Sequence, residues 1–126
     1  MRESKFLGQI GEDIACAYLR DKGFRILFRN YRKPWGEIDI VAQARDTTLV
    51  FVEVKTMTDT GESELGPEDQ MSAAKIKKFK LICETFVSQN PRLVNERRGW
   101  RMDVIAIDAD QNNHPREWAV RQYENV

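Results

Sequence analysis

The chain has few of the residues that mark disulfide-linked or zinc-binding proteins. Its 126 residues include two cysteines and one histidine. Neither Cys16 nor Cys83 has a second Cys or His at metal-ligand spacing, and each lies on the apolar face of a predicted helix. We therefore expect buried, reduced thiols without chemistry of their own. His114 stands alone beside Pro115 and is assigned no catalytic role.

Long apolar runs are also absent. No stretch of about 18 apolar residues is available to span a bilayer, and no charged-then-apolar leader with a cleavage site begins the chain. We therefore expect a cytoplasmic protein with no membrane partner. The length and the hydrophobic content of 41% predict a single domain over residues 1–126 with a modest core.

The chain has no net charge, since 20 basic residues balance 20 acidic ones. A zero balance argues at first against a nucleic-acid partner. The charges are segregated, however, because residues 1–33 carry 8 basic and 4 acidic side chains, residues 34–70 carry 2 and 9, and residues 71–101 carry 8 and 2. An acidic block between basic blocks is compatible with a metal site flanked by a DNA-binding surface, and also with chance clustering.

The most informative stretch is GEIDIVAQARDTTLVFVEVKT. Strand-like alternation over residues 37–43 and 48–55 flanks a short polar segment, which predicts a hairpin. In the second strand the valine face, which includes Val50, is predicted to be core. The opposite face carries Glu53 and Lys55 and is predicted to be polar.

A turn centred near Asp46 would place Asp39 opposite Glu53, with their Cβ atoms about 4.5 to 5.5 Å apart. Facing carboxylates repel, and a stable sheet does not require them. A divalent cation compensates, because Mg²⁺ prefers hard oxygen ligands such as carboxylates. Lys55 could polarise a metal-bound water or neutralise charge on a phosphate. For Glu-x-Lys alone, the alternative is a solvated face in which Lys55 simply neutralises Glu53.

An Asp on one strand followed by Glu-x-Lys on the next resembles the PD-(D/E)XK nuclease signature, with Asp39, Glu53 and Lys55 at its positions. The fuller runs GEIDIVA and LVFVEVKT are similar to the YraN-like family, small bacterial proteins of unassigned function that resemble archaeal Holliday-junction resolvases. The similarity covers most of the chain, from the first helix to the late run RMDV. The proline that usually precedes the Asp is replaced here by Ile38.

This resemblance implies an α/β fold with a restriction-endonuclease-like core, a mixed central β-sheet flanked by helices. It implies Mg²⁺- or Mn²⁺-dependent cleavage of DNA, with branched DNA among the candidate substrates. It also implies that Glu12 joins Asp39 and Glu53 as metal ligands, with Lys55 completing the catalytic set. Families of this fold include members that have lost catalysis, so the alternative is an inactive nucleic-acid or protein binding module. The oligomeric state is open between a monomer and a homodimer.

Helical spacing predicts a first helix that is capped by Ser4 and ends near Lys22. Its predicted buried stripe is Phe6, Ile10, Ile14 and Ala17. A neighbouring stripe of small residues, including Gly8 and Gly11, would let the helix approach the sheet closely and point Glu12 toward Asp39.

A strand is predicted over residues 24–28, followed by the basic and aromatic loop RNYRKPWGE. Arg29, Arg32 and Lys33 alternate there with Tyr31 and Trp35. Basic residues among aromatics suit phosphate contact with base stacking, so these three cations are candidate DNA contacts. A loop pinned by its aromatic side chains explains the same pattern.

Residues 57–69 are rich in acidic residues and lack apolar periodicity, which predicts a mobile flap beside Lys55. Ser72 is predicted to cap a helix that ends near Gln89 and has Lys75 and Lys78 in its first turns. Lysines at a helix start oppose the helix dipole unless an anion lies nearby. DNA phosphate is one candidate anion and the acidic flap is another.

Overall fold

The computed structural model describes residues 2–58, 72–110 and 112–126, with side chains from residue 6 onward. Helix α1 (Arg2–Asp21) leads into strands β1 (Arg25–Lys33), β2 (Gly36–Gln43) and β3 (Leu49–Thr58). Helix α2 (Ala73–Gln89), strand β4 (Trp100–Ala109) and strand β5 (Ala119–Tyr123) follow.

The described strands form a five-stranded sheet in the order β1-β2-β3-β4-β5. Strands β1 to β3 are an antiparallel meander, β4 runs parallel to β3, and β5 is antiparallel to β4. Helix α1 packs on one face of the sheet and α2 on the other. The predicted α/β class, a mixed sheet flanked by helices, is confirmed and is compatible with a restriction-endonuclease-like core.

The hairpin between β2 and β3 has the predicted register. Ile40 pairs with Val52, as a turn centred near Asp46 requires. The Asp46 carboxylate fixes this turn by accepting hydrogen bonds from the Thr48 backbone N–H at 3.0 Å and from the Thr48 hydroxyl at 2.7 Å. A short acidic side chain that bonds two residues ahead is a common way to stabilise a turn.

The face of β3 predicted to be polar is apolar over its first half. Phe51 is fully buried and makes edge-to-face contacts with Phe86 of α2 and with Trp100, at centroid distances of 5.5 and 5.4 Å. Helix α2 covers this half of the strand, which explains the difference. Glu53 and Lys55 follow where that cover ends, so the polar part of the face is confined to one end of the sheet.

Three predicted boundaries are wrong. Helix α1 begins at Arg2, so Ser4 lies inside the helix and is not its cap. Strand β1 extends to Lys33, so most of the predicted basic loop is an edge strand that ends in a two-residue turn. Strand β3 continues to Thr58, and the rest of the predicted flap lies among residues 59–71, outside the described residues.

The predicted buried stripe of α1 is only half right. Ile10 and Ile14 are partly buried and pack against the core. Phe6 and Ala17 are exposed, whereas Ala15 on the neighbouring stripe is fully buried. The cause is a close approach of helix and sheet at Gly11, where an added Cβ would collide with the Thr56 side chain. The small residues therefore face the sheet, and the larger Phe6 side chain is left outside.

The cysteines lie where the sequence predicted. Cys16 and Cys83 are both free and buried, and burial raises the pKa of each thiol. A neutral thiol is a poor nucleophile and a poor metal ligand, so both act as small core residues. None of the described helices combines the length and the apolar content that crossing a bilayer requires.

Asp103 on β4 is fully buried and holds the C-terminal segment against the sheet. It accepts hydrogen bonds from the Arg101 guanidinium at 3.0 and 3.3 Å, from the Gln122 amide at 2.9 Å and from the Asn125 backbone N–H at 3.0 Å. Arg101 also pairs with Glu124 at 3.4 Å. A buried carboxylate is tolerated only with such compensation, so the role of Asp103 is structural.

We expect Asp103→Ala to lower the free energy of unfolding by about 2 to 4 kcal/mol, because it leaves several donors without their shared acceptor. Urea denaturation measures this change. Asp21→Ala, at the exposed end of α1, is the matched control and should change stability by less than about 0.5 kcal/mol. Equal denaturation midpoints for the two variants would contradict a structural role for Asp103.

Candidate functional site

Asp39 and Glu53 lie on neighbouring strands, one position beyond the pair formed by Ile40 and Val52. The Asp39 carboxylate is held toward β3, since its Oδ2 accepts a hydrogen bond of 2.8 Å from the backbone N–H of Val54. The pairing of β2 with β3 ends at Ile40 and Val52, so Asp39 and Glu53 are not a paired cross-strand position, although both line the same cavity. They lie beyond the half of β3 where Phe51 packs on Phe86 of α2.

Strand β2 and the neighbouring strand β1 are both irregular around Asp39. Ile38 packs on the α2 side and Ile40 on the α1 side, although residues two apart in a regular strand share a face. Across from Asp39, Asn30 of β1 has a φ of 56°. Asparagine enters this left-handed region more readily than most residues. The regular alternation is therefore interrupted where the candidate metal ligand stands.

The four predicted catalytic residues line one cavity of about 420 Å³ between α1 and the ends of β2 and β3. We call it the acidic cavity; its charged lining residues are Glu12, Glu37, Asp39, Glu53 and Lys55. Glu12 lines it next to Gly11, where α1 lies close against Thr56 of β3. The sequence prediction that Glu12 faces the site and not open solvent is consistent with this placement.

Ionisation of Asp39 and Glu53 in the acidic cavity is unfavourable. Burial raises the pKa of Asp39 to about 7, the Val54 hydrogen bond opposes this rise, and the negative charges of Glu53 and Glu12 add to it. Burial also raises the pKa of Glu53, although the Lys55 ammonium lowers it. Binding a proton or a metal cation stabilises such carboxylates, because it offsets the cost of burying their negative charge and reduces their mutual repulsion.

The charged groups in the cavity are partly paired with one another. Lys55 Nζ lies 3.8 Å from Glu53 Oε2, and Glu12 Oε1 lies 3.7 Å from Arg29 Nη2. Within the described part of the chain, no three His, Cys, Asp or Glu side chains converge as a ready-made metal cluster. The carboxylates surround the cavity without meeting at one point.

The donor chemistry of the cavity nevertheless suits a hard divalent cation. Mg²⁺ typically takes one or two protein carboxylates and keeps its other positions for water or phosphate. Asp39 and Glu53 supply two such carboxylates in an open cavity with room for water and substrate.

Two of the predicted DNA contacts lie next to this site. Lys75 and Lys78 of α2 line a second cavity, of about 300 Å³, which shares Glu53 and Lys55 with the acidic cavity. Trp35 also lines it. Glu53 and Lys55 therefore stand between two cavities, one bounded by α1 and the other by α2.

The other predicted DNA contacts lie on the edge strand β1: Arg29, Arg32 and Lys33. Arg29 donates a hydrogen bond to Asp13 at 2.8 Å, and Arg32 donates one to Glu37 at 3.0 Å. The Lys33 ammonium lies over the Tyr31 ring, 5.5 Å from its centroid. The two arginines would have to exchange carboxylate partners for phosphate, which weak surface ion pairs permit.

Sequence reasoning missed Glu37. This side chain lines both cavities, and its charge raises the pKa of Asp39 and of Glu53. Its place two residues before Asp39 on the same strand was the available signal. Glu37 adds negative charge to the site while its carboxylate is bonded to Arg32.

Comparisons with known proteins find relatives of this chain in one sequence family. The model of "Uncharacterised protein family UPF0102" matches residues 11–107. The UPF0102 protein of Syntrophus aciditrophicus is 42% identical over 111 residues, covering 85% of this chain and 80% of its own length. The UPF0102 protein of Dictyoglomus thermophilum is 33% identical over 117 residues, covering 91% and 92%. All four predicted catalytic residues fall inside the matched range.

Proposed function

Since the chain belongs to the uncharacterised protein family UPF0102, in agreement with the YraN-like resemblance of its sequence, and that description assigns no activity, we propose a function from the site itself. We propose a metal-dependent DNA endonuclease of the PD-(D/E)XK type, with branched DNA as a candidate substrate. One observation carries the proposal. Asp39 and Glu53, whose ionisation is disfavoured, share a cavity with the ammonium of Lys55.

In this proposal Asp39 and Glu53 hold one Mg²⁺ or Mn²⁺, and Glu12 is the third carboxylate available to it. The bound ion would supply Lewis-acid activation of water and phosphate. The hydrogen bond from the Val54 backbone N–H already holds the Asp39 carboxylate toward β3. The cation would also relieve the repulsion that raises the pKa of Asp39.

Lys55 has a separate role in the proposal. Its ammonium lies 3.8 Å from a Glu53 carboxylate oxygen, and it lines both cavities. From there it can orient the attacking water and offset the negative charge that develops on the phosphate. It is a cation, so it does not bind the metal.

The second candidate function is a nucleic-acid or protein binding module that keeps this architecture without turnover. The observation that favours it is the internal pairing of charges, Lys55 with Glu53 and Glu12 with Arg29. Such pairs partly neutralise Glu53 and Glu12 without a metal ion.

The test is to incubate the purified protein with branched, single-stranded and duplex DNA in Mg²⁺, Mn²⁺ or EDTA. We expect cleavage of at least one DNA form with a metal and none in EDTA. Glu53→Gln should abolish cleavage, while Glu84→Gln, an exposed position on α2, should retain it. DNA binding by the wild-type protein without cleavage in either metal would favour the binding module.

A further inference from the structure

The cavity bounded by α2 has a composition that the acidic cavity does not share. Trp35 and the lysines Lys75 and Lys78 line it over an apolar floor made by Phe79 and Ile82. Glu37 and Glu53 line the side that it shares with the acidic cavity. We call it the Trp35 cavity. It combines an aromatic side chain and two cations with Lys55, which lines it as well.

Trp35 is displayed at this cavity by the turn between β1 and β2. Lys33 pairs with Gly36, so Pro34 and Trp35 form a two-residue turn. Gly36 lets that turn press against α2, since an added Cβ would lie 3.2 Å from Ile82 Cδ1. The Trp35 side chain is nevertheless 50% exposed. A large indole held at a cavity on a constrained turn, and half open to solvent, is available for stacking.

Lys75 and Lys78 face the same cavity from successive turns of α2, as residues three apart on a helix do. Among the described residues, no carboxylate lies within 4.0 Å of either ammonium. The first turn of α2 contains no acidic residue, so the positive end of the helix dipole adds to the charge of these lysines. The negative charge that Lys75 faces is that of Glu53 across the cavity. An anion in the Trp35 cavity would be attracted by the lysines and by the helix dipole.

We propose that the Trp35 cavity binds one unpaired nucleotide of a DNA strand, with its base stacked on the Trp35 indole and its phosphate between Lys75 and Lys78. A base inside a duplex has both faces covered by its neighbours, so away from duplex ends only an unpaired base can offer a face to the indole. The proposal rests on the proposed function in one respect, because it places this nucleotide next to the phosphate that Lys55 would contact. It specifies the substrate as DNA with an unpaired segment.

The test measures affinity for a dye-labelled single strand and for the matched duplex by fluorescence anisotropy in EDTA, where no cleavage occurs. Trp35→Ala should lower single-strand affinity by about 5- to 100-fold, the effect of losing one base–aromatic stack, and duplex affinity by less than about twofold. Trp35→Phe should keep most of the affinity, because a phenyl ring can still stack. Phe6→Ala, which removes another exposed aromatic side chain, should change neither.

A second pair of variants tests the phosphate contact. Lys75→Gln combined with Lys78→Gln should flatten the salt dependence of single-strand binding, whose slope is about −0.7 per phosphate neutralised. Lys80→Gln, at an exposed position on the same helix, is the control and should leave the slope unchanged.

Equal losses for single strand and duplex in Trp35→Ala, or no loss in either, would overturn the proposal. So would a wild-type protein that binds neither DNA form. The cleavage experiments with branched, single-stranded and duplex DNA test the proposed nuclease function separately. If the wild-type protein cleaves no DNA but prefers single strands through Trp35, the subsite is supported and the nuclease function is not. If it cleaves DNA and Trp35→Ala has unchanged affinity, the nuclease function is supported and the subsite is not.

Discussion

Lys55→Ala is expected to slow DNA cleavage by roughly 100- to 1,000-fold while leaving the affinities for Mn²⁺ and DNA nearly unchanged. This is the size of effect expected when one electrostatic contact used mainly in the transition state is lost. The geometry supports such a division of roles. Lys55 stands at the junction of the two cavities and contacts Glu53 at 3.8 Å, but an ammonium cannot serve as a metal ligand.

The measurement is single-turnover cleavage together with calorimetric Mn²⁺ titration and DNA binding. Lys80→Ala on α2 makes the same change in net charge outside both cavities and is the matched control. If Lys55→Ala weakens DNA binding as much as it slows cleavage, the lysine acts in the ground state and the transition-state role is wrong.

Asp39→Asn is expected to abolish detectable Mn²⁺ binding and yet to stabilise the metal-free protein by about 1 to 3 kcal/mol at pH 8. Most substitutions destabilise a protein, and the reason for the opposite sign here lies in the pKa of Asp39. Burial, together with the charges of Glu53 and Glu12, raises the Asp39 pKa from 3.8 to about 7 in the folded protein. Asparagine removes that charge and can still accept the hydrogen bond from Val54.

The raised Asp39 pKa fixes the pH dependence of this effect. Well below pH 3.8 the carboxyl is protonated in both the folded and the unfolded chain, so wild type and variant should be similarly stable. As the pH rises from about 4 to 7, the unfolded chain loses the proton first, and the wild-type protein loses stability relative to the variant. Above pH 7 the difference should be constant.

Denaturation of the metal-free proteins at pH 4, 6 and 8 tests this dependence, and the matched control is Asp21→Asn at the exposed end of α1. A stability difference that stays the same from pH 4 to 8 would contradict the assigned cause. Retention of Mn²⁺ binding in Asp39→Asn would instead remove Asp39 from the metal site.

The register of the hairpin could be predicted because it depends on local information. Alternating apolar residues fix which face is buried, and the turn residue Asp46 fixes where the chain reverses. Those two constraints were enough to predict the pairing of Ile40 with Val52, but not the irregularity that surrounds Asp39. Ser72 as the cap of α2 followed from equally local chemistry, and its side chain does accept a hydrogen bond from the Lys75 backbone N–H.

The errors in the sequence prediction concern contacts between distant elements. The buried face of α1 depends on how closely the helix approaches β3, which is set by Gly11 against Thr56. The face of β3 that was predicted to be polar is apolar over its first half, because Phe51 packs against Phe86 of α2. Neither contact is visible in the periodicity of a single segment, since each joins residues more than 30 positions apart.

The basic edge strand shows a different limit. A run that mixes Arg29 and Arg32 with proline and aromatic residues resembles a loop by composition. Pairing with β2 nevertheless makes it a strand. Asn30 accommodates that pairing with a backbone conformation that few other side chains adopt easily. The placement of Glu12 beside the cavity likewise required the tertiary packing of α1.

The parallel pairing of β4 with β3 sets an order for folding. Leu49 of β3 pairs with Trp100 of β4, which is far from it in the sequence, whereas β1, β2 and β3 are joined by short turns. Closing the longer loop costs more chain entropy, so we expect the meander with Asp39 and Glu53 to form early and β4 to join late. Contacts made after the transition state govern the unfolding rate. The destabilisation by Asp103→Ala should therefore appear mainly as faster unfolding, with refolding nearly as fast as in the wild-type protein.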